Sequence, residues 1–139
     1  MIPAELLDLI HRFEGFRSRA YLCPAGVWTI GYGSTGPYIK PGMVWTREQA
    51  ESRMILDAQR FVTAAKRLCP AAQGRQLAAL ADFAYNLGAS RLAGSTLRKR
   101  FNAGDIPGAQ REIRKWTRAG GRVLPGLVIR REAEAQLLG

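Results

Sequence analysis

Residues 13–33 read FEGFRSRAYLCPAGVWTIGYG, and within this stretch one kind of local structure gives way to another. Upstream of it, Pro3 stands where a helix accepts a residue without an N–H, and Glu5 and Asp8 fall in the early turns that the helix dipole favours for acids. Leu6, Leu7, Ile10 and Phe13 recur at helical spacing, so a helix is predicted from about 3 to 14. Gly15 ends it and leaves Glu14 in its last turn. From Arg19 to Ile39 the texture changes: Tyr21, Val27, Trp28, Ile30 and Tyr32 favour strands, while CPAG and the glycines at 31, 33 and 36 supply turns. A small hairpin or three-stranded sheet is expected there, with Cys23 and Thr29 on either side of its first turn.

Beyond this stretch the chain reads as helical. TREQ at 46–49 matches a capping box, and Arg47 to Lys66 has no breaker, which predicts one long helix. A second runs from about 73 to 87, stops at Gly88 and carries Leu77, Leu80, Ala81, Ala84 and Leu87, the pattern of a central core helix. Helices from about 95 to 102, and from Asp105 to near Trp116, precede a basic loop, TRAGGRVLPG, and a final helix, LVIRREAEAQLL. No repeat or linker is present. The fold class is therefore α+β, a small sheet after the first helix and then a mostly helical body, with a cleft between them as the natural place for a site. A chain of 139 residues, 47% hydrophobic, can bury a real core as one domain, without metal or disulfide staples.

Net charge is +10 and uneven, +3 over residues 1–90 and +7 over 91–139. Such a surface attracts polyanions in general: nucleic acid, anionic lipid headgroups or an acidic wall polymer. Cys23 and Cys69 are too few for a disulfide scaffold and lack neighbours at metal-ligand spacing, so no metal and no cofactor are expected. The N-terminus MIPAELLDLIHRFEGF has no basic leader before an apolar run, and LAALADFAYNLGA at 77–89 is too short to cross a bilayer. The expectation is a chain that stays where it is made, with reduced thiols.

A carboxyl at the end of an apolar helix is partly desolvated, which favours its protonated form and suits a general acid. Glu14 has that position. Cys23 and Thr29 add a group able to be an anion and a hydroxyl able to hold water, a set that glycosidic hydrolysis can use. Each also has a plain structural reading: Glu14 as a surface carboxylate paired with an arginine, Cys23 as a small buried hydrophobe, Thr29 as a strand residue. His11 lies three residues before Glu14, but a lone histidine is more often structural and is given no role.

The spacing Glu14, eight residues, Cys23, five residues, Thr29 resembles the active-site segment of the bacteriophage-type lysozymes, the muramidase endolysins of glycoside hydrolase family 24. Their pattern has Asp or Cys in the middle place. The resemblance continues through TIGYGST (29–35), ALADFAYNLG (79–88), STLRKRFNAGD (95–105) and GGRVLPGLVIRREAE (120–134), nearly the whole chain. It implies a single lysozyme-like catalytic domain over 1–139, with an N-terminal lobe of about 13–46 bearing a short antiparallel sheet. A helical lobe of about 47–139 plus the first helix completes it, and peptidoglycan glycan strands lie between the two. It also implies that Glu14 protonates the bond between N-acetylmuramic acid and N-acetylglucosamine and that Thr29 positions the attacking water. Cys23 is then either a base, activated by the nearby Arg17 and Arg19, or a group that orients water without ionising, in an inverting reaction.

Gly31 and Tyr32 are expected to meet the sugar, as is Asn86 on the opposite wall, while Tyr85 stays open between core and cleft. Trp116 is expected in the core. Arg130 and Arg131 could pair with Glu14 or, by helical spacing, with Glu134, and the local pair is preferred. A monomeric endolysin would wait in the host cytoplasm and reach the periplasm through a separate holin. Two other readings compete with hydrolysis. One is a lytic transglycosylase on the same bond; the other is a non-catalytic cationic module binding the envelope through Arg98, Lys99, Arg100, Arg111, Arg114 and Lys115.

Overall fold

Pro3, in an extended conformation, leads into α1 (Ala4–Glu14), and Gly15, at φ 64°, turns the chain out of it. Residues 1–139 are all described by the computed structural model. After Gly15 come β1 (Arg17–Leu22) and β2 (Trp28–Gly31), antiparallel with Tyr21 opposite Thr29 and Leu22 opposite Trp28. The CPAG turn closes through Gly26 N–H to the Cys23 carbonyl at 2.8 Å and Cys23 N–H to the Val27 carbonyl at 3.0 Å. The sheet has two strands. Residues 32–46 add only the bridges Arg19 to Val44 and Ile30 to Ser34, because Pro37 and Pro41, with glycines beside them, interrupt any third ladder.

The capping box forms as expected, Gln49 N–H to Thr46 Oγ1 at 3.1 Å and Thr46 N–H to Gln49 Oε1 at 2.8 Å, and starts α2 (Arg47–Leu68). Next come α3 (Gly74–Leu87), α4 (Ala89–Ala93), α5 (Thr96–Asn102) and α6 (Ile106–Ile113). Ser95 caps α5 and Asp105 caps α6, each accepting from a backbone N–H at 3.0 Å. The five residues of α4, between Gly88 and Gly94, are too few to show a period in the sequence. The basic loop holds a further hairpin, β3 (Arg118–Ala119) and β4 (Arg122–Val123), around Gly120 and Gly121, both at positive φ. Finally α7 (Pro125–Leu138) begins on a proline, two residues before the predicted start.

The core surrounds α3, which packs against α1, α2 and α7. Leu6, Ile10, Leu80, Phe83, Leu92, Leu97, Ile113 and Leu138 are fully buried. Trp116, expected in the core, is half-buried and packs against its edge, meeting Phe83 edge to face at 5.3 Å. The arrangement is the expected α+β one, a small antiparallel sheet followed by a mainly helical body. The α1 end, the CPAG hairpin, the end of α3 and the start of α7 together surround a cleft.

Candidate active site

Glu14, the last residue of α1, reaches this cleft, as do Cys23 at the head of the CPAG turn and Thr29 on β2. A cavity of about 340 Å³ is lined by these three together with Tyr21, Gly33, Tyr85, Asn86 and Arg91. A neighbouring part of about 360 Å³ shares Glu14, Tyr21, Cys23 and Asn86 and runs past Pro24, Leu124, Leu127 and Arg130. Thr29 is buried, and its Oγ1 donates to the Val27 carbonyl at 2.9 Å, so the hydroxyl keeps its lone pairs as acceptors for a water. Cys23 is half-buried and unpaired, and Cys69, capping α2, is a second free thiol held above its ordinary pKa by burial.

Glu14 does not stand alone. Arg130 Nη1 donates to its Oε2 at 2.7 Å, while Nε and Nη2 of the same guanidinium hold Asp82 at 2.9 and 2.8 Å. The backbone of Gly33 presses on the other side of Glu14, at φ +81°, where an added Cβ would sit 2.5 Å from Oε1. Ser34 fixes that turn from behind, donating to the buried Asp57 at 2.9 Å, and Tyr85 Oη donates to the Tyr32 carbonyl at 2.5 Å. Burial first, then the charges of Glu14 and Asp57, push the Tyr85 hydroxyl far above its ordinary pKa. Tyr21 is pushed up likewise, by burial and then by Glu14. Both phenols stay neutral.

The phage lysozyme family model matches residues 11–134. The chain belongs to the phage lysozyme family. It is 43% identical over 136 residues to the endolysin of Acyrthosiphon pisum secondary endosymbiont phage 1, covering 94% of this chain and 92% of that one. To the endolysin of Bacillus phage B103 it is 40% identical over 134 residues, 94% of this chain and 51% of the relative, so it spans about half of that protein. The muramidase domain of SpmX from Asticaccaulis excentricus superposes with a TM-score of 0.86 at 32% identity, over 99% of this chain and 97% of that one. Further relatives are SAR-endolysins, including that of Enterobacteria phage P21, 36% identical over 128 residues (89% of this chain, 76% of the relative). No helix of the present lysozyme is long and apolar enough to cross a membrane. As a phage lysozyme it is a glycoside hydrolase that degrades peptidoglycan.

Several expected site residues take other places in this lysozyme. Gly31 and Tyr32 do not reach the cleft. Gly31 backs onto Trp45 and Ala50, each 3.1 Å from where a Cβ would lie, and Tyr32 is buried with its ring against His11 and Phe16 and its hydroxyl accepting from Arg47 at 3.2 Å. Asn86 does line the cleft, and its Oδ1 accepts from Arg131 Nη2 at 2.7 Å. Arg17 stacks on Tyr21 at 4.1 Å and Arg19 is exposed, and neither lines the cleft, so the cations there are Arg130 and Arg91. His11 bonds Glu51 at 2.9 Å, in keeping with a structural place.

The preferred local pairing holds for one arginine only. Arg131 lies against Glu134, Nε to Oε1 at 2.7 Å, whereas Arg130, one residue earlier and about 100° round the helix, points to α1 and α3. The residue that sequence reasoning missed is Asp82, fully buried and bidentate on Arg130. Its signal was available: an acid inside the apolar run of the core helix needs a buried cation. Arg98 also proves structural, donating to the carbonyls of Leu68 at 2.9 Å and Ala93 at 3.1 Å, while Arg114 and Lys115 pair with Glu132 and Glu112.

The close fit at Gly33 has a consequence for turnover. In Gly33→Ala the new methyl must displace the Glu14 carboxylate, and the positive φ adds about 1–2 kcal/mol of strain. A shift of about 1 Å in a reacting group costs on the order of 10²-fold in rate. Turnover on purified peptidoglycan is expected to fall by about that factor in a folded variant, and an unchanged rate would contradict the placement.

Proposed function

We propose that this chain hydrolyses the β-1,4 bond between N-acetylmuramic acid and N-acetylglucosamine, with Glu14 as general acid. The observation that carries the reading is the convergence of Glu14, Cys23 and Thr29 on one cleft. Glu14 gives its proton to the leaving oxygen as the glycosidic C–O bond breaks. A water held by Thr29 Oγ1 and Cys23 attacks the anomeric carbon from the opposite face, and its proton passes to Cys23 Sγ, which acts as the base. Arg130 and the Gly33 backbone keep the Glu14 carboxyl in one orientation. Asn86 meets the glycan through its amide NH₂, since its oxygen is engaged by Arg131. Attack from the opposite face inverts the anomeric centre. Proton NMR of freshly released product is then expected to show the α-anomer first, and initial β-anomer would contradict inversion.

Cys23 separates this mechanism from one that needs only an acid. Cys23→Asp is expected to keep lytic activity, whereas Cys23→Ala should lose about 10²-fold or more in turnover, the usual worth of a positioned base. Release of soluble muropeptides measures both, and undiminished turnover in Cys23→Ala would sink the assignment.

In the cell, the reading is of an endolysin that forms one catalytic domain over 1–139, acts as a monomer, and ends infection by lysing the host from the periplasm, which it reaches from the cytoplasm through a holin. The exposed Lys99, Arg100 and Arg111 support a supplementary attraction to anionic envelope polymers.

A further inference from the structure

Behind the cleft lies more buried charge than the acid, the base and the water require. Asp82, Arg131 and Glu134 are wholly buried between α3 and α7, and Arg130 is 4% exposed. Two chains of contacts lead from this cluster to the cleft: Asp82 through Arg130 to Glu14, and Glu134 through Arg131 to Asn86. Glu134 holds its proton: burial first, then the neighbouring Asp82 carboxylate, push its carboxyl well above the usual range. Asp82 stays ionised, since Arg130 and the hydrogen bonds it receives outweigh its burial and hold it below that range. With Glu134 neutral, Asp82 is the wholly buried anion set against Arg130.

This balance bears on the acid. Arg130 donates to Glu14 Oε2 at 2.7 Å, and a general acid must meet its substrate protonated. Asp82 takes two of the three hydrogen bonds that Arg130 makes here, in a dry interior where charges are least screened. Of the other ionisable groups facing Glu14, Tyr21 and Tyr85 stay neutral, and Cys23 and Arg91 lie across the cleft.

We propose that Asp82 is a positioning residue of this lysozyme, which fixes Arg130 as the donor that orients Glu14 and offsets its positive charge. The proposal rests on Glu14 being the general acid.

The test is the pH profile of kcat/KM on purified peptidoglycan for the wild type, Asp82→Asn and Glu14→Gln. In Asp82→Asn the unopposed Arg130 favours the Glu14 anion, so the alkaline limb is expected to move to lower pH by about one unit or more. On that limb one unit is tenfold in rate, and the loss should fall on kcat rather than KM. A Glu14→Gln variant that keeps full activity would refute the general-acid reading itself. If Glu14→Gln is inactive while Asp82→Asn keeps the wild-type limb, or moves it upward, the reading stands and the role of Asp82 is overturned. Should Asp82→Asn fail to fold, ¹³C NMR of the carboxyl groups in the wild type decides. An ionised Asp82 at pH 7 supports the proposal, and a protonated Asp82 would overturn it.

Discussion

Glu14→Gln should lower turnover on peptidoglycan by about 10³-fold, within the range ordinarily lost with a positioned general acid. The exchange is nearly isosteric, and the Gln oxygen can still accept from Arg130, so the contact now at 2.7 Å is kept while the proton is not. Stability should change little, because Arg130 retains both of its bonds to Asp82 and no buried cation loses its partner. Clearing of chloroform-treated Gram-negative cells gives the rate and a circular-dichroism melt gives the fold. Clearing at the wild-type rate by the folded variant would refute the role of Glu14.

The second large effect falls on stability. Arg130→Met keeps an unbranched apolar stem but removes the cation that a wholly buried Asp82 needs. Breaking a buried pair from one side leaves an uncompensated charge and costs about 3–5 kcal/mol. The sign of its pH dependence comes from Asp82, whose carboxyl is held below the usual range in the native wild type. That depression stabilises the wild type at neutral pH and is lost as pH falls through the folded-state value. In Arg130→Met the unpaired Asp82 prefers its proton, so the variant's deficit should shrink on acidification. Urea denaturation at pH 7 and at about pH 4 measures both, since the unpaired carboxyl of the variant takes up its proton in that window while the wild-type Asp82, held below the usual range, stays ionised. A wild-type midpoint at pH 7 would contradict the buried cluster's dependence on Arg130.

What the sequence made legible was whatever depends on near neighbours. Thr46 with Gln49, Asp105 before α6 and Gly88 after α3 mark helix ends through bonds spanning three or four residues, and the structure has those bonds. The spacing of Glu14, Cys23 and Thr29 was legible for the same reason, since a helix end and one tight hairpin bring them to a common cleft. Four features were hidden because they depend on distant partners or on too few residues. The five residues of α4 and the two-residue strands β3 and β4 have no period to read. Gly31 signalled close approach correctly, but what approaches is Trp45 and Ala50 rather than a sugar. Arg130 had Glu134 one helical turn away, and its partner Glu14 stands 116 residues upstream, a choice that only the packing of α1 on α3 and α7 decides.

That water is added across the glycosidic bond under the control of Glu14 is tested most directly by the masses of the muropeptides released from purified peptidoglycan. Hydrolysis leaves a reducing N-acetylmuramic acid end and adds one water per bond cut, and these products should be abundant with the wild type and about 10³-fold scarcer with Glu14→Gln at equal enzyme and time. Products ending in 1,6-anhydro-N-acetylmuramic acid, which have gained no water, or the hydrolysed products in wild-type yield from Glu14→Gln, would contradict it.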